Sequence, residues 1–437
     1  MNNQRFRFLF TKKNSIFIQL VILLLAILLL KSPLFHDEEP PKILEWNVQD
    51  LGAMGDGIQD DTNAVQKALN NAKNADSQIK VVVPAGTYKL TDTLHIYKNT
   101  HLILEEGAIF LRSHNRSILI NGDWGETYSG YYGHGNIIIE GGIWDGNIEQ
   151  YPDGFNAIGI ARGEGITIRN IEVRDVANGH AIDLNASKNV LIENNQFLGY
   201  IDTTKDGSRS FSEAVQISEH TKNGFGAFGP YDGTPSQNIV VRNNFFGGSH
   251  TKGTTSWPVG IGNHLSIYNK YNEEIKIYNN TFQGMTHSGI HLYKWKNTLI
   301  QDNLFEGCRQ GITFMNPKSS KTADGEKMKK PQSGSEVTIS GNTFKNIKKE
   351  AILASGWKKA RIEEIVINDN MFFPARKEKN PVIALSWVEG VDIHANTFLY
   401  KKKRKKKEII QTKESMDVDL MDNIFKQDEK AGTIHSS

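Results

Sequence analysis

Between residues 45 and 425 the chain is written in short runs of alternating apolar and polar residues, such as Ile275-Lys-Ile-Tyr and Val337-Thr-Ile-Ser. Side chains alternate across a strand, so each run predicts a strand with one face in a core and one in water. Many of the runs close on Asn-x-Phe: Asn195/Phe197, Asn244/Phe246, Asn280/Phe282, Asn303/Phe305, Asn342/Phe344, Asn370/Phe372, Asn396/Phe398 and Asn423/Phe425. Self-similarity at irregular spacing, with strands and no intervening helices, predicts a β-solenoid whose coils carry loops of unequal length. The phenylalanines should stack inside it. The asparagines should form a ladder at a turn, each side chain bonded to the backbone of the next coil, which removes them as substrate ligands.

A second strand precedes the Asn-x-Phe strand in each coil, and its copies align from Asn156, His180, Glu213, Val259, Ser288, Gln310, Glu350 and Pro381. Third and fifth positions are apolar, as in Ile182/Leu184 and Val215/Ile217, and should face the core. The fourth positions then form one outward column, Asp183, Gln216, Gly262, His291 and Thr313. The sixth positions form another, Asn185, Ser218, His264, Tyr293 and Met315. Coils stack about 4.8 Å apart, so Asp183 and Gln216 should be neighbours and His291 should lie roughly 14 Å from Asp183. The ionisable residues of these columns concentrate in the middle coils.

The ends read differently. Residues 1–14 are basic, Ser15 to Leu30 is an apolar run closed by Lys31, and 32–44 is an acidic, proline-containing linker. As a helix the run spans roughly 24 Å, a little short of a bilayer core of about 30 Å. With no Ala-x-Ala site after it, an uncleaved signal-anchor over 15–31 is expected, its basic flank in the cytoplasm and the domain outside the cell; cleavage would make the protein secreted. Asp60, Asp61 and Thr62 are N-cap types for a helix whose face is Ala64, Val65, Ala68, Leu69 and Ala72, and such a helix could cap an open end of the core. Residues 426–437 form a tail.

A net charge of +2 argues against a nucleic-acid binder that works by field alone, and the single cysteine, Cys308, rules out an intrachain disulfide. No Asp/Glu cluster at strand spacing marks a metal site, and no cofactor is expected. The insertion 199–212 carries Asp202 and Arg209, 219–236 carries Asp232 with Phe225, Phe228 and Tyr231, and 248–258 carries Trp257. Aromatic and charged loops over a rigid wall suit a polysaccharide, with Gln216, Arg209, Asp202, Asp232, Trp257, Tyr293 and Lys294 as candidate binding residues. The Lys/Ser-rich 317–335 and the basic run Lys401 to Lys407 read as surface loops.

The run Gly55-Asp-Gly-x-x-Asp-Asp-Thr-x-Ala-x-Gln, then Val83-Pro-Ala-Gly-Thr-Tyr and Leu104-Glu-Glu-Gly-Ala, resembles the opening of the pectate-lyase-like superfamily. That resemblance implies an all-β, single-stranded right-handed parallel β-helix. Asn178-Gly-His-Ala-Ile-Asp-Leu-Asn-Ala-Ser-Lys-Asn-Val is similar to the signature of family 28 glycoside hydrolases, with His180 in place of an aspartate, Ser212 and Glu213 in place of an Asp pair, and Val259-Gly in place of His-Gly. Two chemistries fit. Hydrolysis would use Glu213 with Asp183, or with a loop carboxylate, as acid and base. Elimination or epimerisation of a uronate would use His180, His264 or His291 as the base and Arg209 or Lys294 to neutralise the sugar carboxylate. The family-like register tips the expectation to a glycoside hydrolase, with a non-catalytic carbohydrate-binding protein as the third reading.

Overall fold

The structure, a computed structural model, describes residues 44–317, 331–373, 380–401 and 405–427. The expected membrane helix over 15–31, the core of the 317–335 insertion, part of the basic run and the C-terminal tail lie outside the described residues. No helix among the described residues is long and apolar enough to cross a membrane.

One coil shows how the sequence pattern builds the solenoid. Strand Ser288–Tyr293 is followed by a turn through Lys294 at φ 60°, then by Lys296–Gln301, a second turn at Asp302 and Asn303, and Leu304–Glu306. The next coil begins at Gln310 and pairs in parallel with the last, Ile290 beside Ile312 and Phe305 beside Phe344. Repeated along the chain, the first strands make one face of 11 strands, and the other two strand sets join in a 24-stranded sheet. The chain is all-β, and short connections keep neighbouring coils in register.

Asparagine and phenylalanine lock that register. Asn303 Nδ2 donates to Asn342 Oδ1 at 3.0 Å and to the Ile277 carbonyl at 2.9 Å, while its backbone N–H also donates to Asn342 Oδ1. The same ladder runs from Asn195 to Asn423 through buried side chains. The rings stack coil on coil, with centroids 4.8 Å apart for both Phe246–Phe282 and Phe305–Phe344. A slip by one residue would turn every ring outward and leave buried amides unpaired.

The Phe stack also explains an outward turn on the 11-stranded face. In all but the copy from Pro381 the second residue is Ala or Gly, and the glycines lie against the rings: a Cβ on Gly289 would sit 2.5 Å from the Phe305 ring, and one on Gly311 2.6 Å from Phe344. With position two packed inward, position one bends outward to join positions four and six.

The N-terminal helix, Thr62–Asn70, buries Val65, Ala68 and Leu69 as expected. Its cap differs from the expectation. The Asp61 carboxylate makes no cap bond and accepts from the Met54 and Gly55 N–H groups, whereas Asp60 accepts from the Thr62 N–H at 3.0 Å. Adjacent aspartates divided the work because one side chain points back into the glycine turn. Cys308 is buried, its thiol donating to the Phe282 carbonyl. Lys406–Ile409, which begins within the expected basic loop, is a short helix.

Candidate active site

The columns predicted from spacing are those of the folded chain: Asp183 pairs with Gln216, Gln216 with Gly262, Gly262 with His291, and His291 with Thr313. The outward bend at position one adds His180 and Glu213 to this wall, one beside the other.

Glu213 is fully buried, and both of its carboxylate oxygens face His264 Nδ1, at 3.0 and 3.1 Å. His180 lies on the other side, its Nδ1 2.8 Å from the Glu213 carbonyl oxygen and 3.7 Å from the carboxylate. Burial pushes the Glu213 carboxyl up, but His264 by charge and hydrogen bond, then His180 and His291, outweigh it and hold the group below the usual range. The Glu213 charge in turn raises His264, against the opposing pull of desolvation. An ionised carboxylate on Nδ1 fixes that nitrogen as the N–H donor and leaves Nε2 as the atom that can exchange a proton. The His264 side chain is 38% exposed, against 1% for Glu213.

The remaining candidates separate. Asp183 is buried and saturated: Asn156 donates to Oδ2 at 2.8 Å, and Asn185 and Gln216 donate to Oδ1 at 2.6 and 2.9 Å. Burial raises its carboxyl, partly opposed by His180 and the two amides on Oδ1. Wholly covered, it organises the wall instead of presenting an acid. His291 is pushed down to about 4 by burial and shares a 2.7 Å hydrogen bond with Thr313 Oγ1, so it is neutral at pH 7. Tyr293 stacks on it at 6.1 Å and is held protonated by burial. Arg209 is exposed on its loop, and its charge opposes protonation of His264.

Four expected binding residues do other work. Trp257 is fully buried and packs on Tyr200 at 5.2 Å, because its loop folds into the solenoid. Lys294 is fully buried, its ammonium bonded to the Ile267 carbonyl and lying 4.7 Å over the Tyr271 ring. Asp202 ties its own loop by accepting from the Thr204 and Arg209 backbone N–H groups. Asp232 pairs with the buried Arg162 at 2.7 Å. Phe225 and Phe228, expected as stacking platforms, are buried in a small separate core.

Residues one position upstream of the aligned copies also border the site. Arg309 and Lys349 precede their strands by one position, like His287, and all three lie on consecutive coils: Gln310 N–H donates to the His287 carbonyl and Lys349 N–H to the Arg309 carbonyl. Arg309 and Lys349 are exposed and both push His287 the same way as burial, down to about 4. They form a cationic edge along the columns. Extending the alignment one residue upstream would have found it.

A family profile described as "Rhamnogalacturonase A/epimerase, pectate lyase-like" matches residues 46–313, and one described as "Right handed beta helix region" matches 262–398. The chain belongs to the pectate-lyase-like rhamnogalacturonase A/epimerase family. Among curated relatives, the plasmin and fibronectin-binding protein A of Streptococcus pneumoniae is 30% identical over 351 residues, covering 75% of this chain but 45% of that protein. The chain thus spans less than half of that relative's length. The solved structure of the S. pneumoniae surface protein and adhesin PfbA superposes with a TM-score of 0.71 at 24% identity, covering 87% of this chain and 97% of that one. A family 28 exopolygalacturonase from Yersinia enterocolitica superposes with a TM-score of 0.58 at 18% identity, covering 86% and 78%. At these identities the two structures establish the shared fold. The family includes polysaccharide-active members, and adhesins share its solenoid.

Proposed function

We propose that this protein binds an acidic polysaccharide along the 11-stranded face and cleaves it by β-elimination, with His264 as the base. The observation that carries this reading is the Glu213–His264 pair: a buried ionised carboxylate on Nδ1, and a half-exposed imidazole whose Nε2 is the remaining proton acceptor. The carboxylates that hydrolysis would use, Glu213 and Asp183, are both fully buried, so a hydrolytic pair at the groove surface is the weaker reading.

In the proposed step, His264 Nε2 takes the proton from the carbon bearing the uronate carboxylate. The electron pair released forms a carbon–carbon double bond and expels the glycosidic oxygen from the adjacent carbon. That oxygen takes its proton from Tyr293, one coil along in the same column and held protonated. Arg209 would neutralise the sugar carboxylate, which is what makes the proton acidic enough to remove. Return of a proton to the opposite face of the same carbanion would be epimerisation. The cationic edge of Arg309 and Lys349 suits a polyanion. Anchoring through residues 15–31 would display this face outside the cell.

The test is to incubate the protein with polygalacturonate, alginate and neutral glucans. Ultraviolet-absorbing unsaturated ends together with new reducing ends are the expected result. Reducing ends without unsaturation would give hydrolysis, and binding without any change in the polymer would give an adhesin.

A further inference from the structure

The groove on the 11-stranded face is stopped at its N-terminal end by a segment of the chain itself. The 219–236 insertion leaves its strand at Ser218 and doubles back over the earlier coils. Phe225 sits on Gly159, where an added Cβ would meet its ring at 2.6 Å, and Gly224 approaches Asn185 closely enough that a Cβ would lie 3.0 Å from its Oδ1. Phe225 and Phe228 bury Ile120 and Ala161, outward positions of the two coils before Asp183, in a satellite core that includes Ala227.

This cover is built to stay. Gly125 N–H donates to the Ala227 carbonyl and Tyr128 N–H to the Gly229 carbonyl, which binds the insertion to the 122–134 loop. Arg162, buried under both, donates to the Gly130 carbonyl and pairs with Asp232. On the two coils that follow, Asp183, Asn185, Gln216 and Ser218 are all excluded from solvent. Towards the C-terminus the sixth-position column stays accessible, from His264 and Tyr293 to Met315, Ser355 and Ser386, and at its far end Leu353, Ser386, Gln411 and Lys413 line a concave stretch of about 390 Å³. From His264 to Lys413 is five coil steps, roughly 24 Å of groove.

We propose that the groove is blind, so the protein engages the end of a polysaccharide chain, with the terminal unit at the Glu213–His264 pair and the rest running towards Lys413. A chain interior cannot cross a wall of packed aromatic rings. The proposal rests on the acidic-polysaccharide reading of this face and specifies how that substrate lies in it.

The binding stoichiometry tests it. The full chain carrying His264→Ala, which slows cleavage enough for binding to be read first, is titrated with polygalacturonate and alginate fractions of graded length. An end-binder saturates at one protein per polymer chain whatever its length, so a tenfold longer fraction binds about one-tenth as much protein per unit mass. Capacity that follows polymer mass would overturn the blind end while keeping the polysaccharide site. Binding of neither polymer would overturn the acidic-polysaccharide reading itself. Phe225→Ser, which removes the ring over Gly159, is expected to shift capacity towards mass scaling; the comparison with the intact plug stands without it.

Discussion

Glu213 and His264 are 51 positions apart in the chain and meet in adjacent coils, His264 Nδ1 3.0 Å from the Glu213 carboxylate. Neither residue alone marks a proton-transfer site. A buried glutamate by itself would be driven towards the neutral acid, and an isolated surface histidine would titrate near its ordinary value of about 6.5. Together the acid is held ionised and the histidine is made more basic.

Glu213→Gln should therefore lower the His264 titration towards the ordinary imidazole value while keeping the fold. Nuclear magnetic resonance of the His264 ring would follow this shift. His264→Ala should cost on the order of 10²–10⁴ in turnover, the usual contribution of a positioned base. Polymer binding should survive that change. An unshifted His264 in Glu213→Gln would exclude the carboxylate as its partner.

The pH dependence follows from the sign of the same shifts. A base must be neutral to act, and His264 is raised above its ordinary value, so activity should climb as pH rises through that raised value. Stability behaves differently. The lowered Glu213 contributes above its unfolded value and loses that contribution as pH falls through the folded one. The raised His264 contributes below its unfolded value and loses it as pH rises through the folded one. Melting temperature against pH should show the pair's contribution greatest between the unfolded values of the two groups, about 4.5 and 6.5. Glu213→Gln should flatten that feature.

Removing both cationic side chains of the edge, Arg309→Gln with Lys349→Gln, should weaken binding of an anionic polysaccharide by roughly tenfold, at under about 1 kcal/mol for each exposed charge. The remaining binding should depend less on salt. Titration calorimetry at two ionic strengths would decide the matter, and unchanged affinity would take the edge out of the site.

Asn303→Ala leaves backbone N–H and carbonyl groups of neighbouring coils without partners inside the solenoid. Such a loss should cost about 2–4 kcal/mol, since each unsatisfied buried group costs about 1–3 kcal/mol. Urea denaturation measures it; an effect below about 0.5 kcal/mol would show that the ladder is dispensable.

The membrane expectation has its own measurement. If residues 15–31 anchor the chain, alkaline carbonate extraction of cells expressing it should leave the protein in the membrane pellet. Recovery in the supernatant would reject the anchor.

The sequence by itself determined the solenoid, its register and the outward columns. Alternation, the Asn-x-Phe repeat and the aligned copies are all local patterns, and stacking identical coils propagates each one through the whole fold. Asp183 beside Gln216 and Gly262 beside His291 were legible for that reason. Tertiary structure decided what each outward position does. Glu213 and His264 occupy different columns, and only the bend forced by small residues against the Phe rings turns position one towards position six of the next coil. Trp257, Lys294, Phe225 and Phe228 have the chemistry of ligands, yet the path of their loops buries them. Composition states what a loop could bind, but whether it faces a substrate depends on the packing beneath it, and no local pattern encodes that.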